Sequence, residues 1–277
     1  MSKIGWVGIT VVALMIIVGT FAPIIAPYDP YDTSVIKLEE GRQAPSRLHW
    51  FGTDTFGRDV FSSLLYGARI SLSIGIITTL ISAFIGLMLG SVAGYFGKRL
   101  DEFIMRITDI TFAFPGLLLA IALAAVLGPS LRNVVIALSV TGWAGYTRLV
   151  RGQILSLKEL EYVQASRAIG AKNLRIITRH IWPNIANPLI VQMTFGVAGV
   201  IIGESSLSFL GLGAPLGTPS WGGMLNEGRR ALLTAPYLSI FPGIAIMITI
   251  IGFNFLGDSL RDMLDPQSHP LRRITLQ

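Results

Sequence analysis

Six stretches of this chain run without an Asp, Glu, Lys or Arg, at 4–28, 70–97, 110–131, 133–147, 180–203 and 231–257. Crossing about 30 Å of hydrocarbon at 1.5 Å per residue takes about 20 helical residues, and five of the six meet that length. A soluble core does not repeat such runs, and hydrophobic residues make up 52% of the chain against 14% charged, with mean hydropathy +0.63. The pattern predicts an all-α integral membrane protein with six transmembrane helices. The fourth run is short, but Arg148 and Arg151 lie one turn apart and can snorkel, so that its helix continues towards Leu155. The Pro-Gly pairs at 115–116 and 242–243 are compatible with membrane helices, in which neighbouring helices satisfy freed backbone groups, or with hinges.

Lys3 ahead of the first run imitates a secretory signal, but the run is too long and Pro27 follows the small-residue cleavage candidate Ala26, which predicts a retained span. Six spans put both ends on one side. With the N-terminus inside, the cytoplasmic segments hold fourteen of the 22 Lys and Arg residues, densest between the fourth and fifth spans. The first outer loop, with Lys37, Arg42, Arg47, Arg58 and Arg69, is partly offset by six acids. The bias predicts both termini in the cytoplasm. The net charge of +6 is thereby a matter of lipid topology rather than of nucleic acid.

The basic cytoplasmic segment reads as two short helices about a stop. Ser156 and Glu159 have capping-box spacing for the first, Gly170 supplies the left-handed closure, and Asn173 caps a second that ends at Trp182, before Pro183. Leu174, Ile177 and Ile181 share one face of that second helix and Arg175 and Arg179 another. A DNA-reading helix-turn-helix must project freely into a groove, whereas this pair is tied to spans at both ends. The alternatives left are a hairpin lying on anionic lipid and one packed on another protein, the latter favoured by the small surface of Ala165, Ser166 and Ala168.

Gln164-Ala165-Ser166, Gly170 and Pro183 have the spacing of the Glu-Ala-Ala loop of binding-protein-dependent ABC permeases. Gln164 stands for the family Glu, Ser166 for Ala, His180 for Ile and Trp182 for Leu. Glu161, one turn upstream, is the available substitute for the missing carboxylate. The stretches at 49–59, 67–72, 208–222 and 254–262 extend the likeness over nearly the whole chain. They resemble the C-type subunit of the dipeptide, oligopeptide and nickel permeases.

That resemblance implies a type I ABC importer permease fold and an organisation of three parts. These are a first helix with an extracytoplasmic loop (1–66), a transmembrane domain (67–258) with a coupling loop (155–185), and a cytoplasmic tail (259–277). It implies as partners a second permease subunit, two cytoplasmic ATPases that use ATP and Mg, and an extracytoplasmic binding protein. It also makes Glu161, Gln164, Ala165, Ser166, Ala168, Gly170 and Pro183 the ATPase-coupling residues. The chain has no G-x-x-x-x-G-K-[ST] phosphate loop, so no catalytic or cofactor site is expected on it.

Other constellations carry less. Cysteine is absent and His49, His180 and His269 are scattered, which predicts no metal site. Asp54 and Asp59 are too few for a calcium loop and suit Asp–Arg and backbone bonding in an outer platform. Glu204, at the end of an apolar run, is either solvated or Arg-paired at the outer interface or lines the pathway. A secondary transporter would show paired broken helices in two related halves, and an intramembrane hydrolase H-E-x-x-H or G-x-S-x-G. Neither is found.

Overall fold

The computed structural model describes residues 3–32, 40–215 and 217–264, so Lys37, His269, Arg272, Arg273 and the end of the expected tail lie outside the described residues. The elements are helices α1 (Lys3–Ile25), α2 (Val60–Phe96), α3 (Lys98–Ala113), α4 (Gly116–Leu127), α5 (Leu131–Leu157), α6 (Glu161–Ala168), α7 (Asn173–Ile176), α8 (Trp182–Phe209), α9 (Trp221–Arg229) and α10 (Tyr237–Leu264). A π-helical turn, Ile177–Ile181, joins α7 to α8. α1, α2, α10 and the continuous stretch Asn173–Phe209 are each long and apolar enough to cross a membrane. The pair α3 and α4, bent by 87°, meets the same test together. α5 is 27 residues, about 40 Å, and falls below that apolarity because it carries Arg132, Arg148 and Arg151.

The break in the third run corrects the expectation of one helix over 110–131. Proline disfavours the helical region in the residue before it, and Phe114 is accordingly extended at φ −101, ψ 139. Pro115 then starts α4 with its preset φ of −57. Pro23, Pro188 and Pro242 by contrast sit within α1, α8 and α10. The sixth run also starts later than expected, because 231–236 forms turns ahead of α10.

α2 and α5 form the central seam, and glycine makes it possible. Gly86, Gly90 and Gly94 are spaced four apart, so they share one face of α2. A Cβ on Gly90 would lie 2.8 Å from the Thr147 carbonyl oxygen, and one on Gly94 2.9 Å from Ile154 Cβ. Such small-residue stripes let backbones approach where lipid supplies no hydrophobic drive to associate. On either side of the seam, Ile74, Ala120, Ala124, Val134, Ala137, Leu138 and Leu207 bind α2, α4, α5 and α8 into one core. Val12, Leu72, Val197, Ile201 and Phe253 bind α1, α2, α8 and α10 into another.

Arg148 and Arg151 do not snorkel freely. Arg148 donates to Asp109 at 2.6 Å and Arg151 bonds Asp101 through both nitrogens of its fork, so the bent third span is fastened to α5 by two ion pairs. At the opposite end of α2, Asp59 caps the helix by accepting from the Ser62 amide at 2.7 Å. Asp54 accepts from the Phe56 and Arg58 amides and from Arg58 Nε at 2.6 Å, and Arg58 reaches on to Glu227 of α9 at 3.2 Å. Burial pushes the Glu227 carboxyl above its usual range, against the pull of Arg58. The stretch 52–59 is thus an ordered platform locked to α9.

Candidate functional site

The segment between α5 and α8 is a compact hairpin. α5 runs through Ser156 to Leu157, so the expected capping box does not form. Ser156 lies inside the last turn of α5, and α6 begins after Leu160 with no side-chain cap. Gln164 Nε2 donates to the Glu159 carbonyl at 3.2 Å. The stop at Gly170 is as expected: φ is +83, the Gly170 amide donates to the Arg167 carbonyl at 3.0 Å, and the Ala171 amide to that of Ser166 at 3.1 Å. This paired closure satisfies the free carbonyls of the last turn and fixes the exit angle.

Asn173 is the first residue of α7 rather than its cap, and its side chain accepts from Tyr95 of α2 at 3.0 Å. The second helix does not end at Trp182. It passes through the π-helical turn into α8, where Pro183 sits in the first turn. Proline removes one amide donor in that turn, and the neighbouring Asn184 Nδ2 donates to the His180 carbonyl at 2.7 Å. The wider turn also changes the face. Ile176, Ile177, Ile181 and Ile185 are buried against Val150 and Ile154 of α5, together with Val163 of α6, while Leu174 points outward at 71% exposure.

The hairpin is therefore anchored from below and open above. Glu161, Gln164, Ala165, Ala168, Gly170 and Pro183 are exposed, and Ser166 is half-buried. Glu161 has no hydrogen-bond or ionic partner among the described residues. Ile169 stands at 85% exposure beside Leu174, so the Gly170 turn carries two bulky aliphatic groups in the open. Sequence reading missed Ile169 and placed Leu174 on the buried face with Ile177 and Ile181, which the structure corrects. Ser166 and His180, two departures from the family pattern, face each other at 3.5 Å. Trp182, a third, donates to Ser91 of α2 at 3.0 Å. Lys158 Nζ donates to the Gly94 carbonyl at 3.3 Å and ties the end of α5 to the α2 seam.

Glu204 lies apart from this hairpin and is fully buried. Ser208 donates to it at 2.7 Å and Ser71 at 3.2 Å, with Ser205 at 3.5 Å. The solvated or Arg-paired reading is thereby excluded. The carboxyl group instead joins α8 to α2. Among the described residues no group of three His, Cys, Asp or Glu side chains is placed to hold a metal.

Apolar spans around a glycine seam, with an ordered platform at one end and an exposed hairpin at the other, make this a multi-helix membrane protein. The chain belongs to the family described as binding-protein-dependent transport system inner membrane component, whose pattern matches residues 86–269. Residues 1–45 also match the N-terminal transmembrane domain of oligopeptide transport permease C. The chain is 44% identical over 266 residues to the dipeptide transport system permease protein DppC of Alkalihalophilus pseudofirmus, covering 96% of this chain and 86% of that one. To the glutathione transport system permease protein GsiD of Escherichia coli O157:H7 it is 47% identical over 256 residues, 92% of this chain and 84% of that one. The oligopeptide transport system permease protein OppC of Bacillus subtilis is 44% identical over 266 residues, at 96% and 86% coverage. The fold of this chain matches that of a chain of the MetNI methionine ABC transporter in an inward-facing conformation, with TM-score 0.60 and 17% identity over 74% of this chain and 97% of that one.

Proposed function

We propose that this ABC importer permease subunit forms half of a pathway for a dipeptide, an oligopeptide or a related solute such as glutathione, the solutes named for its relatives. Its partners are a second, homologous permease, two cytoplasmic ATPases that bind ATP and Mg, and an extracytoplasmic binding protein. α5, the fourth in chain order, brings the crossings to six, both termini are cytoplasmic, and residues 1–66, 67–258 and 259–277 are anchor with outer loop, transport domain and tail. Glu161, Gln164, Ala165, Ser166, Ala168 and Gly170 present the coupling surface, and Pro183 marks where it joins α8. Glu204 is a buried fastening of α2 to α8 rather than a lining charge.

The observation that carries this reading is the exposed apolar tip at Ile169 and Leu174 on a hairpin seated by Val163 and Ile176 against the end of α5. An element that transmits a displacement must be stiff where it joins the membrane and adhesive where it meets its driver. Ion-gradient transport has no use for such a tip.

Two measurements test it. The purified single chain is expected to hydrolyse no ATP, and tagged chain extracted from its native membrane to bring down a second permease and an ATPase. ATP turnover by the rigorously purified chain would refute the division of labour. In this cysteine-free protein, Arg47→Cys is expected to react with an impermeant maleimide in intact cells and Lys172→Cys only after permeabilisation. The reverse pattern would invert the topology.

A further inference from the structure

Arg148 and Arg151, towards the end of α5, have their charges met by Asp109 and Asp101. Nearer the starts of α2 and α5 two arginines have no such match. The helices run parallel, with Gly86 against Tyr146 and Gly94 against Ile154, so Arg69 and Arg132 lie at similar heights. Arg69 directly precedes the charge-free run 70–97, and Arg132 separates the runs 110–131 and 133–147. Both therefore stand at the edge of the hydrocarbon, where the surroundings are lipid headgroups. Neither has an ion pair or a hydrogen bond among the described residues.

The two arginines share one groove of about 350 Å³ with Tyr31 and Tyr66, whose rings meet edge to face at 5.6 Å. Asp29 acts electrostatically on both rings, but it bonds the Tyr31 amide at 2.9 Å and makes no ion pair with Arg69. Ser130 leaves the first turn of α5 without a side-chain cap, so the helix end adds partial positive charge beside Arg132. Deeper in, the groove is aliphatic, with Ile74 and Ile77 of α2 and Leu131 and Val135 of α5. The α2 face continues through Leu80, Ile81 and Phe84, which are exposed and recur at helical spacing with Ile77. Helix contacts within lipid favour small residues, as at Gly86, Gly90 and Gly94, whereas a face of bulky side chains is one that acyl chains cover.

We propose that this groove binds one anionic phospholipid, its phosphate held by Arg69 and Arg132 and an acyl chain laid along Ile77, Leu80 and Phe84. Guanidinium forks match phosphate oxygens two at a time, and tyrosine hydroxyls at headgroup level add donors. Two cations and no acid line the groove, which favours an anionic headgroup over a zwitterionic one that carries its own ammonium. A second permease seated here would have to bring acids to the hydrocarbon edge to do the same. The lipid ties α2 to α5 at the end where the described residues supply no ion pair between them. The proposal needs only that these helices cross a membrane and is independent of the solute.

The test uses the complete transporter, purified in mild detergent, stripped of loosely held lipid and followed by thermal unfolding. Stabilisation by phosphatidylglycerol is expected to half-saturate at a concentration about tenfold or more below that for phosphatidylcholine, and Arg69→Gln with Arg132→Gln to abolish the preference. Arg47→Gln with Arg230→Gln removes the same charge outside the groove and is expected to keep it. Equal response to both lipids, an unchanged preference in the first pair or equal loss in the second would overturn the site. Glycerol phosphate, a headgroup without chains, is expected to do nothing, and stabilisation by it equal to that of the lipid would make this a site for free anions instead. Ile77→Cys, new in a chain without cysteine, leaves both arginines in place and serves even if the Gln pair fails to assemble. Carrying a benzophenone and photolysed in phosphatidylglycerol vesicles, it is expected to cross-link to that lipid. Cross-links to the second permease would make the groove a subunit contact and refute the proposal.

Discussion

Gly170→Val is expected to abolish driven uptake, to below about a tenth of wild type in reconstituted vesicles, while the chain still inserts and pairs with its fellow permease. The reason lies in the backbone. Gly170 has φ +83, a region that costs a β-branched residue about 1–3 kcal/mol, and a Cβ there meets nothing within 4 Å. The substitution therefore strains the turn without disturbing any packing. Relief comes by opening the closure formed by the Gly170 and Ala171 amides, which swings α6 away from α7. ATP hydrolysis is then expected to continue without transport, or the ATPases to be lost on purification. Gly170→Asn separates strain from side-chain bulk, since Asn visits the left-handed region readily, and is expected to keep about half of wild-type uptake. Ala165→Trp reaches the same end from the exposed side by overfilling the dock. Wild-type coupled uptake with both Gly170→Val and Ala165→Trp would mean that the hairpin transmits nothing.

The second large effect is on assembly. A Cβ at Gly90 would sit 2.8 Å from the Thr147 carbonyl oxygen and 2.8 Å from Val150 Cβ, and backbone atoms of α5 cannot move aside cheaply. Gly90→Leu inserts a whole side chain there, beyond the roughly 1–3 kcal/mol typical of added methylenes. We expect folded complex recovered by gel filtration to fall at least tenfold. Gly152→Ala is the matched control: its Cβ meets nothing within 4 Å on α5, and replacing helical glycine by alanine is worth about 0.5–1 kcal/mol. Its yield is expected to equal or exceed wild type. Equal loss in both variants would show that the seam is not specified by close approach.

How far the sequence disclosed this depended on the physical signal involved. The apolar runs of α1, α2, α8 and α10 mark long helices because lipid demands continuous length, and their cores lie where those runs predict. The turn at Gly170 was legible because its conformation needs a residue without a Cβ. The capping box at Ser156 was not, because a four-residue spacing recurs by chance and the apolar residues Val150, Ile154 and Leu157 carry α5 past it. Pro183 was misread for a related reason. The residue before a proline disfavours the helical region, yet Trp182 is helical at φ −55, ψ −41 and the π-helical turn Ile177–Ile181 runs straight on into α8. That turn also moved Leu174 off its expected face. The ion pairs of Arg148 and Arg151 with Asp109 and Asp101, and the Ser71 bond to Glu204, join residues 39, 50 and 133 positions apart. No local pattern encodes such distances.

The central claim is that the tip of the α6–α7 hairpin is where an ATPase pushes. Ile169, 85% exposed with its side chain free of the bundle, is the position to read it from. Ile169→Cys carrying a short benzophenone, photolysed in the intact transporter, is expected to cross-link to the ATPase subunit, with a yield that changes when ATP is replaced by vanadate-trapped nucleotide. Cross-links confined to lipid or to the permease itself, in a complex that still transports, would contradict the account.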